Sequence, residues 1–171
     1  MPGRYELIPV TAAPEFDEEA GRRFVEDWPE FIFHDLGVRK YSDRRAEYFW
    51  EWEFYLVSGD RRLIAGCWGV PIAWDGTVGD LPGGFTDSLA RAATSYAEGV
   101  APNTFVLMAA AVRNDEQGQG HAGRVITAVR QRAIDGGLPQ VIAPVRPTLL
   151  EIDRAADRGV YREPNIWMRH H

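Results

Sequence analysis

Val112-Arg113-Asn114-Asp115-Glu116-Gln117-Gly118-Gln119-Gly120-His121-Ala122-Gly123 is the stretch that decides the fold of this chain. The apolar run Phe105 to Val112 leads into it and predicts a strand. Residues 121–134 follow with apolar side chains at steps of three and four, which predicts a helix. A strand, a glycine-rich turn and a helix N-terminus form an anion site, because outward N–H groups and the helix dipole favour negative charge. The stretch therefore predicts a site for a phosphorylated ligand.

Two glycine patterns overlap in this stretch. Gly118-x-Gly120-x-x-Gly123 matches the dinucleotide fingerprint, which would indicate an NAD(P)-binding oxidoreductase. That fingerprint follows its strand immediately and needs an acidic residue at the end of the next strand. Here polar residues 113–117 separate the strand from the first glycine, and the next predicted strand, residues 140–145, ends in Arg146-Pro147. The dinucleotide interpretation is therefore the less favoured one.

The second pattern is Gln117-x-x-Gly120-x-Ala122. It resembles the acyl-CoA pyrophosphate loop, Gln/Arg-x-x-Gly-x-Gly/Ala, of the GCN5-related N-acetyltransferase (GNAT) superfamily. The resemblance covers about residues 104–148, from the strand that ends in Val112 to the next strand. It implies an α/β (α+β) fold with a central mixed, mostly antiparallel sheet flanked by helices. We expect residues 1–171 to form one such domain.

The resemblance also implies the cofactor, which is acetyl-CoA or another acyl-CoA as co-substrate, with no metal. The pyrophosphate lies on the loop, and the pantetheine arm pairs with the backbone of the strand that ends at Val112. Gly118 and Gly120 let the backbone approach phosphate oxygens closely. The residues assigned to the cofactor are Ala110, Ala111, Val112, Gln117, Gly118, Gln119, Gly120, His121, Ala122, Gly123 and Arg124.

The activity that the resemblance implies is transfer of an acetyl or acyl group to the amine of a small molecule or amino acid. The alternative is a CoA-binding protein of the same fold with lost or altered catalysis, such as a sensor or biosynthetic partner. A carboxylate or ordered water would take the amine proton, and an N–H near Ala111 or Val112 would polarise the carbonyl. In the family a tyrosine often protonates the thiolate; Tyr161 is the candidate here, displaced from the family position.

The turn-rich segment of residues 73–87 is the candidate for acceptor recognition, because long loops in compact domains are often functional. Asp75 or Asp80 would hold a cationic amine, and Asp75 is also the candidate catalytic carboxylate. Turn chemistry alone accounts for these acids equally well. We expect Trp74 to be exposed with Phe85, and Thr86 or Asp87 to cap a helix that ends near Ala97. The remaining candidate substrate residue is Arg146, a pocket cation.

Composition excludes several function classes. The net charge is −6 without a basic cluster, which disfavours nucleic-acid binding. No apolar run reaches about 18 residues and no signal peptide is evident, so we expect a cytoplasmic protein without membrane contact. The lone Cys67 predicts a small buried residue in a reducing compartment, and no zinc-ligand spacing occurs. A homodimer is left open.

The first third of the chain predicts a strand at Arg4–Val10 and an amphipathic helix at Pro14–Trp28. Residues 48–58 and 62–72 are rich in β-formers and predict a hairpin with its turn at Gly59-Asp60. His34-Asp35 is either a polar pair at a substrate mouth or a surface feature.

Overall fold

The computed structural model describes residues 4–25 and 47–145. Its five strands lie in the sheet order β1-β2-β3-β4-β5, and the neighbours are antiparallel except for the parallel pair β4–β5. The mixed, mostly antiparallel sheet with flanking helices predicted from the sequence is therefore confirmed. The elements are β1 (Tyr5–Pro9), α1 (Asp17–Val25), β2 (Glu53–Ser58), β3 (Leu63–Ile72), α2 (Phe85–Glu98), β4 (Thr104–Val112), α3 (His121–Asp135) and β5 (Gln140–Ile142).

Helices cover both faces of the sheet, because alternate residues of the central strands are apolar on both sides. The α3 face buries Phe54, Leu56, Cys67, Phe105, Leu107, Val125, Val129 and Ala133. The opposite face packs against α2 through Val70, Ile72, Leu89, Ala92, Val106 and Met108. The same face packs against α1 through Phe16, Ala20, Tyr55, Val57 and Leu63.

The β3–β4 ladder is the longest pairing in the sheet, and it contains a β-bulge. Trp68 lies opposite Ala109 but Gly69 lies opposite Leu107, so Met108 is the extra residue on β4. A Cβ atom on Gly69 would lie 2.2 Å from the Val106 carbonyl oxygen and 2.3 Å from the Phe105 ring. Only glycine allows the two strands to approach this closely.

Several predicted boundaries differ from the structure. Trp50–Trp52 forms a 3₁₀ turn, so the strand predicted from residue 48 begins at Glu53. Thr86 and Asp87 do not cap α2, because Gly84 occupies the N-cap without a side-chain cap. Asp87 instead lies in the first turn and accepts a hydrogen bond of 2.7 Å from the Gly83 N–H.

The turn between β2 and β3 is longer than predicted. It includes Arg61 in the left-handed conformation, with φ of 62°, in addition to Gly59 and Asp60. The Arg61 side chain makes an ion pair with Glu15 and lies 5.8 Å from the centre of the Phe16 ring. These contacts connect the hairpin turn to the segment before α1.

Gly69→Ala is expected to lower the free energy of unfolding by roughly 2–3 kcal/mol, because the new methyl group meets backbone that cannot move without disturbing β4. Urea unfolding followed by circular dichroism measures the change.

The matched control is Gly21→Ala in α1, where an added Cβ atom has no neighbour within 4 Å. This variant is expected to gain about 0.5–1 kcal/mol, since alanine is the better helix former. Equal unfolding free energies for the two variants would contradict the close approach at Gly69.

Candidate functional site

In the part of the chain that the structure describes, one half of β4 has no neighbour on its β5 side. The parallel pairing with β5 covers only Thr104 to Val106, opposite Gln140 to Ile142. Within the described ranges, residues Leu107–Val112 pair with β3 alone, and we call their other side the open edge. The bulge at Met108 lies where the two strands separate, and bulges bend and twist the strand that carries them.

Two peptide units face this open edge. The Arg113 N–H donates to the Ile64 carbonyl at 3.0 Å, so Arg113 is turned toward β3. Residues of an antiparallel ladder alternate between bonding their neighbour and facing away from it. Ala111 is therefore turned toward β3, whereas Ala110 and Val112 present N–H and C=O groups to the open edge. An extended ligand could pair with these groups as a strand does.

A glycine turn, residues 113–120, connects the end of β4 to α3. Gly118 and Gly120 have φ of 76° and 79°, the left-handed region that favours glycine. Gly120 is also the N-cap of α3, and no side chain caps the helix there. The first N–H groups of a helix have no acceptor within it, so those of α3 are available to an anion.

Arg113 anchors the start of the glycine turn. Its side chain is 9% exposed and donates to Asp115 through two nitrogens, at 2.9 and 2.7 Å. It also bonds Glu19 of α1 at 3.0 Å and the Leu63 carbonyl of β3 at 3.2 Å. The guanidinium holds the pKa of Asp115 down at about 2. One buried side chain thus fixes the turn to a helix and a strand.

Glu116 contacts the second half of the glycine turn from its buried side. Its carboxylate is 11% exposed and makes an ion pair of 3.0 Å with Arg62. It also accepts a hydrogen bond of 3.1 Å from Gln119, and it lies 3.5 Å from the Nε2 atom of His121. The His121 ring is buried under the first turn of α3, so this residue faces the ligand side through its backbone only.

The other predicted cofactor residues lie at the surface of the same region. Gln117 donates to the Val112 carbonyl at 3.3 Å and to the Asn114 side chain at 2.9 Å. Arg124 places its guanidinium 4.8 Å from the centre of the Tyr5 ring. Ala122 and Gly123 are exposed. The structure therefore places residues 110–112 and 117–124 in one region, and their role in cofactor binding stays a prediction.

The predicted acceptor residues lie at the other end of β4. Residues 73–84, the acceptor loop, follow Ile72, which pairs with Thr104 at the start of β4. Nine residues of strand separate that end from the glycine turn, roughly 30 Å. Trp74 and Phe85 are both half-buried against the core rather than exposed, and the Trp74 indole N–H donates to the Thr77 carbonyl at 2.8 Å.

The two acids of the acceptor loop make turn hydrogen bonds. Asp75 accepts from the Thr77 N–H at 2.7 Å, and hydrogen bonds with the Thr77 side chain and backbone lower the pKa of Asp75. Asp80 accepts from the Asp75 N–H at 3.0 Å and makes an ion pair of 3.2 Å with Arg91. A carboxyl with a lowered pKa is a weaker proton acceptor near neutral pH, so turn chemistry accounts for these contacts.

Arg146, Tyr161 and the His34-Asp35 pair lie outside the described residues. Among residues 4–25 and 47–145, no cluster of three or more histidine, cysteine or acidic side chains offers a metal site. In the same ranges, every helix is too short or too polar to cross a bilayer.

Known proteins were compared with the chain. No protein-family model and no curated protein matches it. It is similar to an aminoglycoside acetyltransferase from an uncultured soil metagenomic sample, in complex with trehalose, with 15% identity, a TM-score of 0.47, and coverage of 95% of this chain and 88% of that chain. A GNAT-family acetyltransferase from Listeria monocytogenes is 10% identical, with a TM-score of 0.48 and coverage of 91% and 84%. A predicted acetyltransferase with acetyl-CoA from Clostridium acetobutylicum is 10% identical, with a TM-score of 0.46 and coverage of 96% and 93%.

Asp115→Asn is expected to destabilise the protein at neutral pH, because the charged partner of Arg113 is lost. A carboxyl whose folded pKa is lowered to about 2 contributes stability above its unfolded pKa, near 3.9. That contribution is lost as the pH falls through about 4 to 2. Urea midpoints of the two proteins should therefore differ at pH 7 and converge toward pH 2; a gap that persists at pH 2 would count against this pair.

Cys67 is expected to resist thiol reagents in the folded protein. Its side chain is buried, and burial raises the pKa of the thiol to about 12. Only the thiolate reacts, so Ellman's reagent should label less than about 5% of the native protein in the time that labels it fully in guanidinium. Rapid labelling of the native protein would contradict this burial.

Proposed function

We propose that this chain binds acyl-CoA and transfers the acyl group to the amine of a small molecule or amino acid, as an N-acyltransferase of the GNAT type. The observation that carries the proposal is the continuity of the open edge of β4 with the glycine turn. A backbone that can pair with an extended arm leads directly into an uncapped helix N-terminus that can hold a diphosphate.

The proposed acyl-CoA would lie along the glycine turn and the open edge in one orientation. Its pyrophosphate lies against the N–H groups at the start of α3, where Gly118 and Gly120 present backbone without side chains. The pantetheine arm then runs back along the open edge and pairs with the Ala110 and Val112 peptide groups. The thioester comes to lie near Met108, where β4 and β5 separate.

The reaction at this position is nucleophilic attack on the thioester. The neutral amine forms a C–N bond to the acyl carbon, and the C–S bond breaks. The attacking amine loses a proton to a base, and the departing CoA thiolate receives a proton from an acid. An N–H on the open edge close to the thioester would stabilise the oxyanion. Asp75 and Tyr161 remain the candidate base and acid from the sequence, and Trp74, Asp80 and Arg146 remain the candidate acceptor residues.

The dinucleotide alternative receives less support. The unit β4–α3–β5 is a parallel crossover with glycines at its turn, as a dinucleotide site requires. The other neighbour of β4, however, is the antiparallel strand β3. A doubly wound sheet, with a second parallel half for the second nucleotide, is not formed by the described strands.

A thermal-shift experiment with acetyl-CoA, CoA, NAD and NADP tests the proposal. At a ligand concentration of about a hundred times Kd, binding stabilises the fold by about 2.7 kcal/mol, which raises the Tm by about 5–10 °C. We expect this increase with acetyl-CoA and CoA. An increase with NAD or NADP and none with CoA would overturn the assignment.

Gly120→Glu tests the position of the pyrophosphate. The variant places a carboxylate beside the first N–H groups of α3, so we expect CoA affinity to fall by about a hundredfold or more. Its matched control is Gly137→Glu at the other end of α3. Both glycines have positive φ, 79° and 83°, and open space around a Cβ atom, so both variants carry a similar strain and the same charge.

Isothermal titration calorimetry on both variants gives the affinities, and circular dichroism gives the fold. We expect only Gly120→Glu to lose CoA. Equal affinities for the two folded variants would place the diphosphate elsewhere.

Release of free CoA thiol in the presence of an amine panel distinguishes turnover from binding alone. Ellman's reagent suits this assay because the only cysteine of the chain is buried. Thiol release that depends on an amine supports the transferase. Tight CoA binding without release by any amine would favour the non-catalytic CoA-binding protein.

A further inference from the structure

His121 is an unusual residue for its place in the fold. It is the first residue of α3 and is 2% exposed, among side chains that pack against the sheet. Neither of its ring nitrogens has a hydrogen-bond partner among the described residues. A buried polar atom without a partner is destabilising, so a purely structural role would be filled better by an apolar side chain. This cost points to a role for the imidazole.

The neighbour of the imidazole is the carboxylate of Glu116. Its Oε2 atom lies 3.5 Å from His121 Nε2, a distance that allows electrostatic attraction but not a strong hydrogen bond. The same oxygen accepts from Gln119, which belongs to the glycine turn. A carboxylate directly beneath a diphosphate site repels the ligand unless a positive charge offsets it.

Charges of both signs surround the ring. Glu116 favours the imidazolium, and Arg62 partly offsets Glu116 through its ion pair on Oε1. From β1, the Tyr5 ring packs edge to face on the imidazole with the ring centres 4.9 Å apart, and the Arg124 guanidinium of α3 lies 4.8 Å from the centre of the Tyr5 ring. The positive end of the helix dipole also opposes a second positive charge there. Cys67 is the one titratable side chain of β3, and β4 carries none.

We propose that His121 takes up a proton when a diphosphate binds to the glycine turn, and so acts as a positioning residue that couples ligand binding to pH. The bound anion offsets the helix dipole and Arg124, and the imidazolium then makes an ion pair with Glu116. That pair draws Glu116 away from the ligand and holds Gln119 and the turn in the binding conformation. The inference rests on the proposed function only in taking CoA as the ligand. The proton uptake itself requires only that the ligand carries a diphosphate.

The first experiment follows the histidine directly. The ¹³Cε1–¹Hε1 signal of His121 is identified by its absence in His121→Phe and is titrated by NMR across the range in which histidines change charge. The titration is repeated with saturating inorganic pyrophosphate and with CoA. We expect either ligand to shift the midpoint upward by at least about half a pH unit, a threefold change in proton affinity. An unchanged midpoint with ligand bound would overturn the inference.

The second experiment measures the consequence for affinity. Calorimetry in buffers of different ionisation enthalpy should show proton uptake on CoA binding to the wild type that is absent in His121→Phe and in Glu116→Gln. The wild-type Kd should also improve by about threefold to tenfold more than that of His121→Phe as the pH is lowered from 8 to 6. The phosphates of CoA also titrate in this pH range, and they do so equally with both proteins. Comparing the wild type with His121→Phe therefore removes their contribution to the pH dependence of Kd.

His121→Phe also separates a functional role from a structural one. Phenylalanine keeps the ring and its contact with Tyr5 but removes both unpartnered nitrogens, so its Tm should equal or exceed that of the wild type. A lower Tm together with unchanged proton uptake would indicate a structural residue and overturn the inference.

The outcomes for the two proposals are distinct. CoA binding without proton uptake overturns the role of His121 and leaves the acyltransferase assignment intact. Pyrophosphate binding with proton uptake but no binding of CoA supports His121 and overturns the acyltransferase assignment. A protein that binds neither ligand contradicts both.

Discussion

The β3–β4 ladder is the constraint on which the rest of the structure depends. Gly69 lets the two strands approach so closely that a single methyl group would meet the Val106 carbonyl. The ladder places Phe105 and Leu107 under α3, and Val106 and Met108 under α2, so both cores rest on the same strand. The bulge at Met108 lies two residues beyond the last β4 residue that pairs with β5. Both cores and the open edge of β4 therefore lie along one irregular pair of strands.

The glycine turn is stable because charged side chains beneath it are buried and paired. Arg113 connects the turn to α1 and β3, and Glu116 connects it to the hairpin and to α3. Exposed ion pairs contribute little to stability, whereas removal of one partner of a buried pair leaves an uncompensated charge. These groups hold the peptide geometry of Gly118 and Gly120 in place, and that geometry is what an anion would recognise.

The sequence predicted the elements around this turn well, because their signals are local. The apolar run of β4 and the three-and-four spacing of α3 each depend on neighbouring residues only. The prediction was wrong at Trp50–Trp52, where aromatic β-formers adopt a 3₁₀ turn, and at Thr86, where Gly84 takes the N-cap. In the first case an aromatic run is compatible with a strand or a turn, and in the second case glycine, threonine and aspartate are all acceptable N-cap residues. Packing against the sheet determines which possibility is realised.

The sequence by itself determined the order of strand, glycine turn and helix, and with it the expectation of a phosphorylated ligand. Only the tertiary structure decided that, within the described residues, β4 has no neighbour on its β5 side beyond Val106, that its Ala110 and Val112 peptide groups face this side, and that His121 is buried beside Glu116. Strand partners and the burial of charges depend on residues distant in the chain, which no local pattern contains.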